Sequence, residues 1–219
     1  MTDVSGLILR EADGLILINK PAGVPTASDK LDEPGSIQFD LMAHYRRMIW
    51  AVHQLDRDTS GLNVFVRRKK LVQAWVDAMR RGSKTYLALC SGRVEFDRRV
   101  VDLPLGWIPE TRRRGPLETG QAAKTVFEVI DRSDDATLLS ARLLTGRTHQ
   151  IRLHLEHLGH PLLGERRYIP EPCERAGRQM LHAWRLDARG ERFMAPVPGD
   201  MMSLLGELGL ELPGGSPQE

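Results

Sequence analysis

The chain has 219 residues, 41% of them hydrophobic and 27% charged, which is the balance of a water-soluble globular protein and excludes fibrous and low-complexity classes. No run of apolar residues approaches the ~20 needed to span a bilayer, and the start Met1-Thr2-Asp3-Val4 lacks a signal peptide's layout. Two cysteines, Cys90 and Cys173, do not make a disulfide framework, so a reducing cytoplasm is expected.

The net charge of +2 hides an uneven distribution. Residues 200–219 carry four acids and no Lys or Arg, which leaves a basic surplus of six over residues 1–199. Residues 42–84 alone hold ten Lys and Arg against three Asp. A local surplus of this kind suits a polyanionic partner, and equally a solvated helix face for a single run such as Arg67-Arg68-Lys69-Lys70. The size predicts one domain over 1–205, with a flexible tail over 206–219 that contains Pro213-Gly214-Gly215-Ser216.

In chain order, Leu15–Ile18 reads as a buried strand followed by the turn Asn19-Lys20-Pro21-Ala22-Gly23, in which Lys20 has a framework role. Residues 26–35 are polar and contain Pro34-Gly35, as a mobile surface loop would. Ser36 caps a helix through Ile37, Leu41, His44 and Met48. Ala51-Val52 then leads into His53-Gln54-Leu55-Asp56-Arg57-Asp58-Thr59-Ser60-Gly61, a loop before the strand Leu62–Val66. Nine residues there offer carboxylates, an imidazole, a guanidinium and hydroxyls, on the kind of loop that carries catalysis. The same residue types are ordinary turn formers, and alone they do not decide between the two. A calcium loop opening at Asp56 is excluded, because its twelfth position is Arg67 and not the bidentate Glu required there.

Leu71, Trp75 and Met79, with Val72 and Val76, form the apolar stripe of a helix over Lys69–Arg81, with Gly82 as a left-handed stop. Ser83–Cys90 alternates as a strand with Lys84, Tyr86 and Ala88 on one face. Arg98–Leu103 is a further strand. Gly106–Gln121 reads as a long loop whose Arg112, Arg113 and Arg114 suit phosphate contact or a solvated surface. Ala122–Ile130 and Ala136–Leu144 form a strand pair about the Asp131–Asp135 turn.

The segment Leu144-Thr145-Gly146-Arg147-Thr148-His149-Gln150-Ile151-Arg152-Leu153-His154 enters a helix that closes at Gly159 and Pro161. His149, His154, His157 and His160 lack a zinc spacing and a nearby Cys, so no metal is expected, and His154 reads as a core histidine. No Gly-x-Gly-x-x-Gly or P-loop pattern occurs, so no cofactor is expected. No internal repeat is present.

The stretch from His53 to Gly61 resembles the catalytic motif of the RluA family of pseudouridine synthases, His-Arg-Leu-Asp-x-x-Thr-Ser-Gly, with Gln54 in place of the family's usual Arg. Asn19-Lys20-Pro21-x-Gly23, Lys84-Thr85-Tyr86, the segment around Arg147, and Leu162–Tyr168 with Met180–Ala183 extend the resemblance over roughly residues 15–196. The resemblance implies conversion of uridine to pseudouridine in structured ribosomal or transfer RNA, without cofactor or obligate protein partner, by a monomeric catalytic domain not preceded by an S4-like domain. It makes Asp56 the essential carboxylate, with Arg147 beside it to offset its desolvation and orient it. Tyr86 becomes the ring that stacks on the target uracil and Ile151 the aliphatic neighbour of the base. His53, Gln54, Arg57, Thr59, Lys84 and Arg112–Arg114 are the remaining substrate-binding candidates. Whether Asp56 attacks the base, attacks the ribose or removes a ribose proton stays open. Gln54 lacks the flat cation that stacks on bases, and Arg57 or Arg112–Arg114 are the candidates to compensate.

For the fold, strands outnumber helices without regular β-α alternation. An α+β class follows: a mixed, mainly antiparallel central sheet with flanking helices, to which the resemblance adds a central RNA-binding cleft. A non-catalytic RNA-binding protein or RNA chaperone on the same fold is the alternative, motivated by Gln54 and the basic flank.

Overall fold

Seven consecutive residues, Ser60–Val66, are buried, as expected of a strand flanked and covered on all sides. The computed structural model describes residues 2–28, 33–171 and 175–212. Along the chain they form β1 (Ile8–Ala12), β2 (Leu15–Lys20), α1 (Ile37–Tyr45), β3 (Trp50–Ala51), β4 (Ser60–Val66), α2 (Leu71–Arg81) and β5 (Ser83–Ser91). There follow β6 (Arg98–Asp102), β7 (Leu105–Ile108), β8 (Arg113–Pro116), β9 (Lys124–Arg132), β10 (Ala136–Leu143), α3 (Gln150–His157), β11 (Leu181–Ala188), β12 (Glu191–Met194) and α4 (Gly199–Glu207). Where one domain over 1–205 is expected, the chain divides into two compact units, Met1–Lys84 with His182–Pro198, and Thr85–Leu181 with Gly199–Glu219.

In the first unit the strands run in the order β1-β2-β4-β11, with β3 also on β4 and β12 also on β11. All these pairings are antiparallel except β4–β11, so the sheet is mixed. Ile16, Ile18 and Phe65 point from it into a core with Val4, Ile37, Leu41 and Ile49. Burying each such side chain is worth about 1.5–3 kcal/mol, which is what seats α1 on the sheet. Ser36 caps α1 by accepting a hydrogen bond from Phe39 N at 3.2 Å. The helix stops at Tyr45, where Arg46 adopts a left-handed conformation, so Met48 lies beyond it and is exposed.

Helix α2 buries Trp75, Ala78 and Met79. Gly82 ends it, but with φ −86° and ψ −151°, not in the left-handed region expected. Glycine is needed there for another reason: a Cβ would lie 1.7 Å from Asp187 O.

In the second unit the strands run in the order β5-β10-β9-β6, with antiparallel pairing on both sides of β9. The expected loop over Gly106–Gln121 is in fact a separate antiparallel hairpin, β7 on β8, with Trp107 opposite Arg114 and Ile108 opposite Arg113. Its strands are short and rich in Gly and Arg, so neither β propensity nor alternation signals them. Leu105, Ala123, Leu153 and Tyr168 pack as one cluster beneath α3. His154 is a core histidine as expected, with Nδ1 2.9 Å from Thr125 Oγ1 and Nε2 3.2 Å from Leu103 O. Burial lowers its pKa.

Mobility over 26–35 does not describe Thr26, which is buried; residues 29–32 of that loop lie outside the described residues. The tail expectation from Gly206 is corrected in part. Helix α4 runs through Glu207, Leu210 is buried, and Glu211 N donates to Asp131 Oδ2. Only 213–219, like Cys173, lie outside the described residues. Cys90 is a buried free thiol whose pKa burial pushes up to about 12.

Candidate active site

The Asp56 loop joins the end of β3 to the start of β4. Thr59 N donates to Asp56 O at 3.1 Å, which closes a turn over 56–59 and presents Asp56 half-buried at its first position. The turn is braced by its neighbours. Lys20, fully buried, donates from Nζ to Pro21 O, Val24 O and Arg57 O at 2.8, 2.7 and 2.9 Å, and Gly23 N donates to the same Arg57 O at 3.0 Å. A buried ammonium is costly unless its donors are met, and here carbonyls of two segments meet them. Thr26 accepts from Leu55 N at 3.0 Å and reaches Asn63 Oδ1 at 2.9 Å, while Asn63 Nδ2 donates to His53 O at 3.1 Å.

His53 is held at the strand itself. Val64 N donates to its Nε2 at 3.3 Å, which makes Nε2 an acceptor and the ring neutral. Burial, and then the positive charge of Lys84, push its pKa down to about 3, against an opposing hydrogen bond to the Gln54 backbone. Such an imidazole positions backbone and does not move protons near neutrality. Lys84, half-buried, has its own pKa lowered by burial and by Arg80. Gln54 and Arg57 are exposed, whereas Thr59 is buried.

The motif's Ser60-Gly61 also has a packing reason. Ser60 and Gly61 pair with His182 and Ala183 of β11 in parallel register, and Ser60 Oγ lies 3.0 Å from His182 Nδ1. A Cβ at Gly61, where φ is +107°, would sit 2.3 Å from Ala183 O.

The second unit carries the other candidates. Tyr86 is buried on β5, and Ile151 is buried in the first turn of α3. Arg147 sits on the turn before α3, half-buried, its Nε donating to Ala122 O at 2.9 Å. That turn is organised by the Gln150 amide, itself buried. Its Oε1 accepts from Arg147 N at 3.0 Å and Thr145 Oγ1 at 2.8 Å, and its Nε2 donates to Lys124 O at 3.0 Å and Thr125 Oγ1 at 2.9 Å. Every donor and both lone pairs of the amide are used.

His149, between Arg147 and α3, holds a left-handed backbone (φ 58°) and hydrogen-bonds Tyr168 Oη through Nδ1. Below it, Arg152 grips Glu165 through two bonds of 2.7 and 2.8 Å. Burial alone would raise the Glu165 pKa, but the Arg152 hydrogen bonds and charge, with the backbone N–H groups of Arg167 and Tyr168, bring it below the ordinary value. Arg112 and Arg113 are exposed and Arg114 half-exposed on the β7–β8 hairpin. Among the described residues no cluster of His, Cys, Asp or Glu is arranged to hold a metal.

Within the first unit, then, Asp56, Arg57, Thr59 and the His53–Lys84 pair belong to one braced neighbourhood. Within the second, Arg147 and Ile151 flank the Gln150 hub. The residues that motif reading passed over are Thr26, Asn63 and Gln150. The available signal was a polar residue inside an apolar strand or helix start, which has to be satisfied somewhere.

Residues 14–157 match the family model described as RNA pseudouridylate synthase. A ribosomal large subunit pseudouridine synthase D of Nitrosomonas europaea is 37% identical over 223 residues, covering 90% of this chain and 64% of its own length. An uncharacterized RNA pseudouridine synthase of Chloroflexus aurantiacus is 37% identical over 207 residues, covering 87% of this chain and 65% of its own. The chain thus spans just under two-thirds of the length of these two relatives. The dual-specificity RNA pseudouridine synthase RluA of Yersinia pestis is 31% identical over 197 residues, 87% of this chain and 96% of that protein. Among solved structures, human RNA pseudouridylate synthase domain containing 4 superposes with a TM-score of 0.78 over 96% of both chains at 22% identity, a likeness of fold. With an α+β mixed sheet, the catalytic-motif loop braced on β4 and these matches, the chain belongs to the RluA family of RNA pseudouridine synthases.

Proposed function

We propose that the protein isomerises uridine to pseudouridine in structured RNA, ribosomal or transfer, with Asp56 as the essential carboxylate. The N-glycosidic bond is broken, the uracil turns, and a carbon–carbon bond forms through carbon 5. The proton leaves carbon 5 and nitrogen 1 gains one, so nothing is oxidised and no group enters from outside. The observation that carries the reading is Asp56 at the head of a turn fixed through Lys20, Gly23 and Thr59 in a chain of this family. A carboxylate that must act at one atom of one base gains from that rigidity, because a small misplacement costs much of the rate.

In this reading Tyr86 supplies the flat surface for the uracil, Ile151 an aliphatic wall and Arg147 a fixed guanidinium. Gln54, Arg57, Lys84 and Arg112–Arg114 are RNA contacts. His53 and Thr59 support the loop from within. The relatives' names speak for ribosomal RNA (the ribosomal large subunit enzyme) and for more than one RNA (the dual-specificity enzyme). A monomer acting in the cytoplasm without a cofactor completes the proposal; among the described residues no helix is long and apolar enough to cross a membrane.

The test is to incubate total cellular RNA with wild-type protein and with Asp56→Asn and to map the carbodiimide-reactive sites whose adducts resist alkali. Wild-type-specific pseudouridine is the expected result, and none in any RNA sinks the proposal. Exposed Gln54, where the family has Arg, favours one second reading, a non-catalytic RNA binder. That reading requires Asp56→Ala to keep both RNA affinity and cellular phenotype.

A further inference from the structure

The β11–β12 connection is a two-residue turn, Arg189-Gly190, with Ala188 paired to Glu191. Both turn residues have positive φ, 55° and 78°. Such turns ordinarily take Asn-Gly or Asp-Gly, since a long side chain gains nothing from the left-handed region. Here an arginine occupies it, and its guanidinium lies 4.5 Å over the ring of buried Trp75. The stacked ring fixes one face of the guanidinium and leaves its N–H edge open.

That edge borders a groove of about 500 Å³ between the turn and the end of α2, lined also by Arg81 and Arg192. Two acids share the lining. Asp187 is committed to Arg192 Nε and Ser83 Oγ, both at 2.7 Å, and Glu191 is exposed. Among the described residues neither Arg81 nor Arg189 has a carboxylate partner. Arg80 and Arg81 also offset the carbonyl end of α2. Two guanidinia without counter-ions, one held in a disfavoured backbone conformation, describe a site for an external anion.

The register fixes where this groove lies in its unit. Strand β11 runs parallel to β4, with His182 beside Ser60, and the Arg189 turn follows Ala188, six residues further along. At about 3.3 Å per residue that is roughly 20 Å from the end of β4 that carries the Asp56 loop.

We propose that the Arg81–Arg189 groove is a second RNA-binding site, which takes backbone phosphate of the substrate at a distance from the target uridine. The inference rests on RNA being the substrate. It also gives a task to Arg80-Arg81, the end of the basic surplus over residues 42–84 that the catalytic motif leaves unused.

The decisive variant is Arg189→Asn, because Asn suits this turn better than Arg while removing the cation. The full chain is titrated with labelled unfractionated tRNA over a range of KCl, and thermal unfolding is followed in parallel. The expected result is a melting temperature equal to or above wild type, a slope of log affinity against log salt shallower by about 0.7–0.9, and roughly five-fold weaker binding at ~0.1 M salt. Arg81→Gln gives a similar loss, so the inference does not hang on one substitution. Wild-type slope and affinity in both variants overturn it. So does Arg189-dependent displacement of tRNA by inorganic phosphate at matched ionic strength, which would make the groove a free-phosphate site. Pseudouridine formation by the wild type is scored separately. Activity with unchanged variant slopes removes the groove alone, and a changed slope without any activity removes the catalytic reading alone.

Discussion

The Lys20 ammonium donates to the Arg57 carbonyl at 2.9 Å, which ties the turn after β2 to the turn that presents Asp56. Because Lys20 is fully enclosed and also serves Pro21 O and Val24 O, removing it takes a donor from three carbonyls at once, of which Arg57 O keeps Gly23 N. Lys20→Met is expected to cost about 2–4 kcal/mol in urea unfolding, the usual range for breaking a buried polar group away from its partners. Activity should fall further than stability accounts for at temperatures where the variant is fully folded, since the turn loses its brace. Lys20→Arg should not rescue, as the longer planar group has no room in a closed site. Wild-type stability in Lys20→Met would show that the clamp contributes nothing.

Gly61 and Gly23 both have positive φ, 107° and 84°, but only Gly61 is crowded: its would-be Cβ falls 2.3 Å from Ala183 O, whereas at Gly23 nothing lies within 4 Å. Gly23→Ala should therefore pay only the backbone penalty of about 1–2 kcal/mol. Gly61→Ala has to push β11 off β4 and should cost more than about 4 kcal/mol or fail to fold. Thermal unfolding of the two variants side by side checks this, and equal losses would contradict the parallel β4–β11 contact.

Much of this was legible in the sequence, for reasons that differ by residue. Leu15–Ile18, Leu62–Val66 and the Trp75 helix declare themselves because apolar spacing reports burial directly. His154 reads as a core histidine because it falls on the apolar face. The β7–β8 hairpin is invisible: Gly106, Gly115, Arg113 and Arg114 carry no strand signal by composition, and only pairing across the hairpin makes them strands. Gly82 shows the same limit, since a glycine after a helix suggests a left-handed stop while the actual demand is the approach of Asp187 O. Around the Asp56 loop the motif picks out Asp56, Arg57 and Thr59, the residues of the turn that Lys20 and Gly23 brace. It said little of Thr26, Asn63 and Gln150, whose partners are remote in sequence.

His53 gives the loop a pH signature. Its folded-state pKa of about 3 lies below the ordinary 6.5, because burial and Lys84 disfavour the charged ring. The unfolded chain therefore binds this proton first as pH falls, and stability drops through the window from about 6.5 toward 3 by up to roughly 1.4 kcal/mol per pH unit. Above the window the contribution is fully present. His53→Gln, which can still accept from Val64 N, should flatten this part of the stability profile; carboxylates such as Glu165, with its lowered pKa, add their own loss only near the acid end. An unchanged slope between pH 6.5 and 5 would show that the ring is solvated and ordinary.

Gln150 and Thr145 form the other joint on which the proposed chemistry depends, and their coupling can be measured. Thr145 Oγ1 donates to Gln150 Oε1 at 2.8 Å and accepts from Lys124 N at 2.8 Å, while the amide holds Arg147 N and reaches back to β9. Gln150→Leu keeps the volume but abandons four hydrogen bonds, taking from Arg147 N its acceptor and leaving Lys124 O with Leu144 N alone of its two donors; a loss of about 2–3 kcal/mol is expected. Thr145→Val should cost about 1 kcal/mol. Because both act on the same turn, the double variant should lose less than the two combined, with an interaction of about 0.5–1 kcal/mol. In turnover, Gln150→Leu should lower kcat with a smaller change in KM, since it loosens the guanidinium of Arg147 without touching RNA. Strict additivity, or a loss confined to KM, would mean that the amide serves the core alone and does not set the position of Arg147.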